Sequence, residues 1–265
     1  MYSRWQLAKK YFRYYFTASN GKGHGVHSPF IYDFVRNVLM DERNFYAYKQ
    51  VEALRELLLQ DKTIIEVEDF GAGSVSGQTK QRTIASIAQH AAKSKKLAQL
   101  IFRIAHYYAP LNIVELGTSL GISTAYMALA CRDARIITGE GSSEIAERAK
   151  KHFAALQLSN IQVTTGNFDD ILPGMLNQLP VIDLAFLDGN HRYDPTINYF
   201  EQVLARVHSA SVIIVDDIHW SEEMEKAWEK IKQYPIVTCT VDLFFIGLVF
   251  FKPEIKVKQH FTIRF

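Results

Sequence analysis

The chain has 265 residues, 48% of them apolar, enough to bury the core of one large domain or of one domain with an extension. A formal net charge of +2 excludes a global basic field of the kind that gathers nucleic acid, and two cysteines, Cys131 and Cys239, are too few for a disulfide framework. No apolar run approaches the ~20 residues of a membrane span, and the N-terminal MYSRWQLAKKYFRYYF lacks the uninterrupted apolar core of a signal peptide. The expected setting is cytoplasmic and reducing, with both cysteines as buried thiols, no nucleic-acid partner and no transmembrane segment.

Residues 1–60 read as mostly helical, broken at SNGKGHGVHSP, where Gly21, Gly23, Gly25 and Pro29 disfavour helix. YAYKQVEALRELLLQ (46–60) has helical apolar spacing, TIIEV is a short possible strand, and 68–79, opening with EDFGAGSVSG, reads as a flexible or substrate-facing loop. TIASIAQHA and KLAQLIFRIAHYYA are two further helices. From residue 111 the rhythm changes to strand and helix in turn: NIVELG, then 121–131; ARIITGE, then SEIAERAKKHFAALQ; IQVTTG, then a short helix closed by Pro173 and Gly174; VIDLAFLD, then PTINYFEQVLARVH; SVIIVDD, then SEEMEKAWEKIKQ. IVTCTVDLF and IGLVFF end the pattern, too tightly linked for a helical crossover, and are expected to form an antiparallel pair at one edge. Five strand–helix alternations predict a parallel sheet covered by helices on both faces. Ligands of such sheets bind beyond the carboxyl ends of the strands.

The turn VELGTSLGIST (114–124) fits three chemistries. Gly117-Thr118-Ser119-Leu120-Gly121 spells the G-x-S-x-G of a hydrolase elbow, with Asp216 or Asp242 and His219 or His260 as triad partners. Only one weak strand precedes it, and Glu115 beside the loop would oppose an oxyanion. A nicotinamide loop needs G-x-G-x-x-G, which Gly71, Gly73 and Gly77 approach, but the strand ending in an acid about 20 residues on is missing there. The turn at 117 does have such an acid: the next strand, RIITGE, ends in Glu140, whose carboxylate can accept from both ribose hydroxyls. No Lys or Arg flanks the glycines, which suits an adenosine carrying a sulfonium and an amino-acid tail better than one carrying phosphates. The helix N-terminus from Gly121 to Ser123 could receive that tail's carboxylate.

IVELGTSLGISTAYMALA, IITGEGSSEIAERAKKHF, IDLAFLDGNHRYD and VIIVDDIHWS together resemble a class I S-adenosylmethionine (SAM)-dependent methyltransferase, in the catechol and caffeoyl-CoA O-methyltransferase group and its bacterial relatives. The resemblance spans about residues 90–251 and KSKKLAQLIFRIAHYY shares it. It implies a Rossmann-like α/β fold, a seven-stranded mostly parallel sheet whose last strand is antiparallel, with SAM as methyl donor. By that resemblance Glu115, Gly117, Thr118, Ser119, Gly121 and Ser123 surround the methionine part, Glu140 and Gly141 hold the ribose, and Asn167 and Phe168 lie along the adenine. The relatives often carry an acid and a small residue at the last two positions. Residues 1–60, with GKGHGVHSPFIYDFV, resemble an extension found in a bacterial subset, with no implied activity. The expected division is 1–90 as a mostly helical extension or lid and 91–265 as the methyltransferase domain.

Asp188 ends one strand, and Asp216 and Asp217 end another. In the strand order of the resembled group these strands are neighbours, so three carboxylates converge, and a divalent cation such as Mg2+ would relieve their repulsion. The group holds its metal with acids and an amide at these positions; Asp217 replaces the amide here, which leaves a metal-free polar pocket open as the alternative. His191, three residues after Asp188, stands where the resembled enzymes carry a lysine base, and a histidine could do that work near neutral pH. Asp188 is thus both a catalytic and a cofactor-side candidate. His219 and Trp220 could wall the acceptor pocket, and His24 and His27 could belong to a lid. The aromatic, basic stretch 4–16 reads as a docked helix, with a membrane surface or the second subunit of a homodimer as alternative contacts. The expected function is O-methylation of a small molecule, with N-methylation, macromolecule methylation and non-catalytic SAM binding as rivals.

Overall fold

A computed structural model describes residues 1–19, 28–69 and 78–265. Gly21, Gly23, His24, Gly25, His27, Gly71, Gly73 and Gly77 therefore lie outside the described residues. The chain divides into two compact units, one of Met1–Asp41 with Pro180–Phe265 and one of Glu42–Leu179. The fold is α/β, with a mostly parallel central sheet of eight strands among the described residues.

In the unit of Glu42–Leu179, strands β3 (Asn112–Leu116), β4 (Arg135–Glu140) and β5 (Ile161–Thr165) lie side by side in that order, all parallel. β3 and β4 bury their central residues, 113–116 and 136–139, as parallel strands covered on both faces do. α5 (Lys95–Tyr108) starts on Ser94, whose hydroxyl accepts from Leu97 N, and stops at Ala109, which turns left-handed at φ 46° before Pro110. α6 (Ile122–Ala130) follows β3, α7 (Ser143–Ala155) follows β4, and α8 (Phe168–Leu176) follows β5. α3 (Tyr46–Gln60) packs on α6, where Tyr126 donates to Glu52 at 2.8 Å.

The same unit holds a separate ribbon, β1 (Ile64–Asp69) paired antiparallel with β2 (Gln78–Thr83). The strand expected at TIIEV is β1, which buries Ile65 and Val67. Its partner QTKQRT has no apolar alternation, so nothing in its own composition marked it as a strand.

In the other unit, β6 (Ile182–Leu187) and β7 (Val207–Asp216) are parallel, and β9 (Ile246–Phe250) runs antiparallel to both β7 and β8 (Cys239–Asp242). This is the antiparallel pair read from the sequence. The sheet is one strand wider than the expected seven: β10 (Gln259–Thr262) pairs parallel with β8. Four residues of alternating exposure, QHFT, carry too little pattern to stand out. α9 (Tyr193–Leu204) follows β6. α10 (Glu222–Gln233) follows β7, capped by Ser221, with acids in its first turn and Lys230 and Lys232 in its last, each charge matched to the helix dipole.

The N-terminal residues of this unit form α1 (Arg4–Thr17) and α2 (Pro29–Phe34), the latter continuing as a π-helical turn over Val35–Leu39. α1 opens with a capping box, Ser3 accepting from Gln6 N while the Gln6 side chain accepts from Ser3 N. Tyr14 donates to the Ile263 carbonyl, and Ser19 bridges Ile263, which ties the helix to the end of the chain.

Candidate active site

The loop from β3 to α6 is shaped by three residues with left-handed backbone: Gly117 at φ 103°, Ser119 at φ 48° and Gly121 at φ 85°. Gly117 N and Thr118 N both donate to the Gly139 carbonyl, at 2.9 and 3.0 Å, which fastens the loop to the end of β4. Gly121 is required twice over. An L side chain is strained at its φ, and a Cβ there would sit 2.5 Å from Phe153 Cε1. Gly121 also caps α6 without a side-chain bond, so no N-cap side chain takes up the first amides of that helix.

Glu140 ends β4, where the sequence placed it. Its two oxygens accept from Ser119 N at 2.7 Å and Ser142 N at 3.0 Å. Burial pushes its pKa up, and the amides of Ser142, Ser119 and Gly141 oppose that shift. A carboxylate has about four acceptor sites, so capacity remains for hydroxyls of a ligand. The hydroxyls of Ser119 and Ser142 beside it are buried with no hydrogen-bond partner among the described residues. Buried polar atoms rarely stay unpaired, and orphans flanking a carboxylate suit a polar ligand such as a ribose.

Glu115 plays a different part from the expected cofactor contact. It is 0% exposed, and its carboxylate accepts from Ser123 (2.6 Å), Thr138 (2.7 Å) and Thr124. Thr118 completes the cluster through a 2.6 Å contact with Thr138. Burial raises the pKa of Glu115 to about 7, with the charge of Glu140 adding to it and the hydroxyls opposing. With no surface to offer, Glu115 braces β3, β4 and α6 from within, and the Ser123 hydroxyl is spent on it. Thr124 and Thr138 were not singled out in the sequence; the only signal was a row of hydroxyls around a buried acid. Asn167 caps α8, its side chain accepting from Asp169 N at 3.2 Å, and Phe168, half-buried, begins that helix.

In the other unit, Asp188, His191 and Asp216 offer ligand atoms within 4.8 Å of one another. His191 Nε2 lies 3.7 Å from Asp188 Oδ1 and 4.0 Å from Asp217 Oδ2. The expected set was Asp188, Asp216 and Asp217; the structure draws His191 into it and leaves Asp217 at the rim. Asp217 is left-handed (φ 53°), and its N–H donates to the Phe245 carbonyl at 2.7 Å, so the turn before β9 holds the acidic loop. Two carboxylates with an imidazole fit a divalent cation, although magnesium prefers oxygen donors and the imidazole is softer than it needs.

His219 does not stand free as a pocket wall. Its Nδ1 meets Glu225 at 2.9 Å, its Nε2 meets Asp242 at 2.8 Å, and its ring stacks on Phe244. Burial opposes the charge on this ring, but the two carboxylates outweigh it and raise its pKa.

Comparisons with known proteins match part of this chain to methyltransferases. Residues 114–218 match a family model described as a methyltransferase domain. That span contains Glu115, Glu140, Asp188, His191, Asp216 and Asp217. A catechol O-methyltransferase of Niastella koreensis is 34% identical over 110 residues, covering 40% of this chain and 49% of that protein. The chain thus spans about half the length of that curated relative. Among solved structures, an O-methyltransferase from Bacillus cereus in complex with SAH superposes with a TM-score of 0.57 at 19% identity, covering 81% of this chain and 95% of that one. An O-methyltransferase from Streptomyces achromogenes in complex with SAM gives 0.55 at 20%, covering 82% and 95%. Residues 114–218 match the methyltransferase domain family, and the chain shares the fold of these two solved O-methyltransferases.

Proposed function

We propose that this chain transfers a methyl group from SAM to a hydroxyl oxygen of a small molecule, with residues 91–265 carrying the chemistry and residues 1–90 as an extension. One observation carries the reading: the part-buried carboxylate of Glu140 at the end of β4, held by two loop amides and flanked by the orphan hydroxyls of Ser119 and Ser142. It is the arrangement a ribose diol requires, and no cation stands in the glycine loop to receive a pyrophosphate.

In this reading Glu140 accepts from the ribose hydroxyls, while the first amides of α6 meet the carboxylate of the methionine tail. Gly117, Thr118, Ser119 and Gly121 shape the turn along that tail. Gly141 contributes backbone beside the ribose, and Asn167 and Phe168 border the adenine. Bound there, SAM supplies an electrophilic methyl group on sulfur. His191 takes the proton of the acceptor hydroxyl, and the carboxylates of Asp188 and Asp217, 3.7 and 4.0 Å from its Nε2, stabilise the imidazolium that forms. Asp188 and Asp216, with Asp217 at the rim, would hold a divalent cation, which would lower the pKa of a hydroxyl bound to it. The residues contribute alignment and charge placement.

Calorimetry tests this reading. SAM should bind the wild type and NAD should not, and Glu140→Ala should remove the SAM heat. Tight NAD binding without SAM binding would overturn it. Asp188→Ala and His191→Ala should still bind SAM but lose turnover on an identified acceptor. Unchanged turnover in both would overturn the assignment of Asp188 and His191 as the catalytic residues.

A further inference from the structure

An amphipathic helix normally has one apolar stripe, turned to the core. α1 has two. The inner one is satisfied: Tyr11 packs on Phe244 and Phe245 with ring centroids 5.1 and 5.8 Å apart, and Tyr14 packs on Phe244 at 5.3 Å. Tyr2 and Lys10 close on Glu225 at 2.8 and 2.9 Å. These contacts leave the opposite side with Trp5, Phe12 and Phe16 exposed by 87%, 62% and 78%. At i, i+7 and i+11 these three fall on one stripe of a helix with about 3.6 residues per turn. Scattered exposed hydrophobes need no explanation, but a row of large aromatics on one stripe does.

The charges around the stripe identify its partner. The first 17 residues contain no Asp or Glu. Lys10 is spent on Glu225, but Arg4, Lys9 and Arg13 are exposed, with Lys9 and Arg13 along one flank and Arg4 toward the other. Two copies of this helix meeting along the stripe would bring like charges together. A bilayer bearing anionic headgroups instead offers an apolar layer for the rings and phosphates for the cations.

We propose that the outer stripe of α1 docks on the surface of an anionic phospholipid membrane, with Trp5, Phe12 and Phe16 entering the headgroup boundary and Arg4, Lys9 and Arg13 meeting lipid phosphates. No described helix is long and apolar enough to cross a membrane, so the contact is peripheral. It is independent of the methyltransferase reading, and either can fail without the other.

The test is sedimentation of the full chain with vesicles of phosphatidylcholine alone and of phosphatidylcholine with phosphatidylglycerol in equal parts. The chain should partition into the mixed vesicles and be released by salt. A Trp5→Ser, Phe12→Ser, Phe16→Ser variant should lose at least tenfold in partition. Lys9→Glu with Arg13→Glu should lose about fivefold or more per residue, since each cation near such a surface counts for roughly that factor. All five side chains are exposed, so the urea midpoints should stay at the wild-type value and separate lost docking from lost folding. Absence of partition into the mixed vesicles overturns the proposal, as does equal partition into phosphatidylcholine alone. A concentration-dependent dimer that the aromatic variant disperses, without vesicle binding, assigns the stripe to a second copy instead.

Discussion

Gly121→Ala probes the loop on which the cofactor reading rests, and its cost can be worked from two local features. An alanine at φ 85° is in the left-handed region, which costs an L residue about 1–2 kcal/mol. Its Cβ would lie 2.5 Å from Phe153 Cε1 and 2.7 Å from Cζ. Phe153 is buried on α7 and cannot swing into solvent, so the ring must shift by about an ångström, an overpacking that costs about 1–3 kcal/mol. The two add to roughly 2–5 kcal/mol, a large share of the ~5–15 kcal/mol that holds a typical protein folded. Urea unfolding should show the midpoint falling by roughly 1 M at constant slope. Phe153→Leu in the same chain should return the steric share and leave the backbone share, giving a coupling of about 1–3 kcal/mol in a double-mutant cycle. SAM affinity should fall in both variants, because the turn that presents Ser119 N to Glu140 is displaced. A midpoint within experimental error of wild type, or zero coupling to Phe153, refutes the reasoning.

Glu115 sets a pH dependence of unusual sign. Its folded pKa, about 7, lies above the ordinary value of 4.5 because it is buried, so between those values the folded state holds a proton that the unfolded state has released. Its contribution to stability therefore falls as pH rises from about 4.5 to about 7 and levels off above. Glu115→Gln should flatten that part of the curve in urea titrations; a curve identical to wild type would mean the carboxylate keeps its ordinary pKa. For the acidic cluster, Asp188→Asn and Asp216→Asn should each weaken Mn2+ binding by at least tenfold in calorimetry, while His191→Ala should keep most of it and lose turnover. The reverse result for His191 would make it a ligand and not the base. Gly247→Ala on β9 would place a Cβ 2.6 Å from Trp228, and should cost about 1–3 kcal/mol, visible as a lower melting temperature; an unchanged one would show that the Trp228 ring moves freely.

Much of this protein is legible in its residues alone. The run of apolar strands after residue 111, each followed by an amphipathic segment, determines an alternating α/β architecture, because a parallel strand buried on both faces must be apolar throughout. The position of Glu140 at the end of the strand after a glycine turn was also readable, since strand length and spacing fix where a carboxylate emerges. Short or polar elements were not. β2 and β10 are strands only because β1 and β8 offer them a ladder, a partner that local composition does not reveal. The site divides in the same way. Glu115 and Glu140 both flank the glycine loop, yet burial made one an internal brace and left the other with free acceptor capacity. His191 joined Asp188 and Asp216 while Asp217 turned its N–H to Phe245. The outer stripe of α1 shows the same limit. Its aromatics and cations are plain in the sequence, but which face packs and which stays exposed was decided by Phe244, Phe245 and Glu225, more than two hundred residues away. Periodicity sets what a segment can form; which of its polar and apolar atoms remain unpaired depends on contacts between residues distant in the chain.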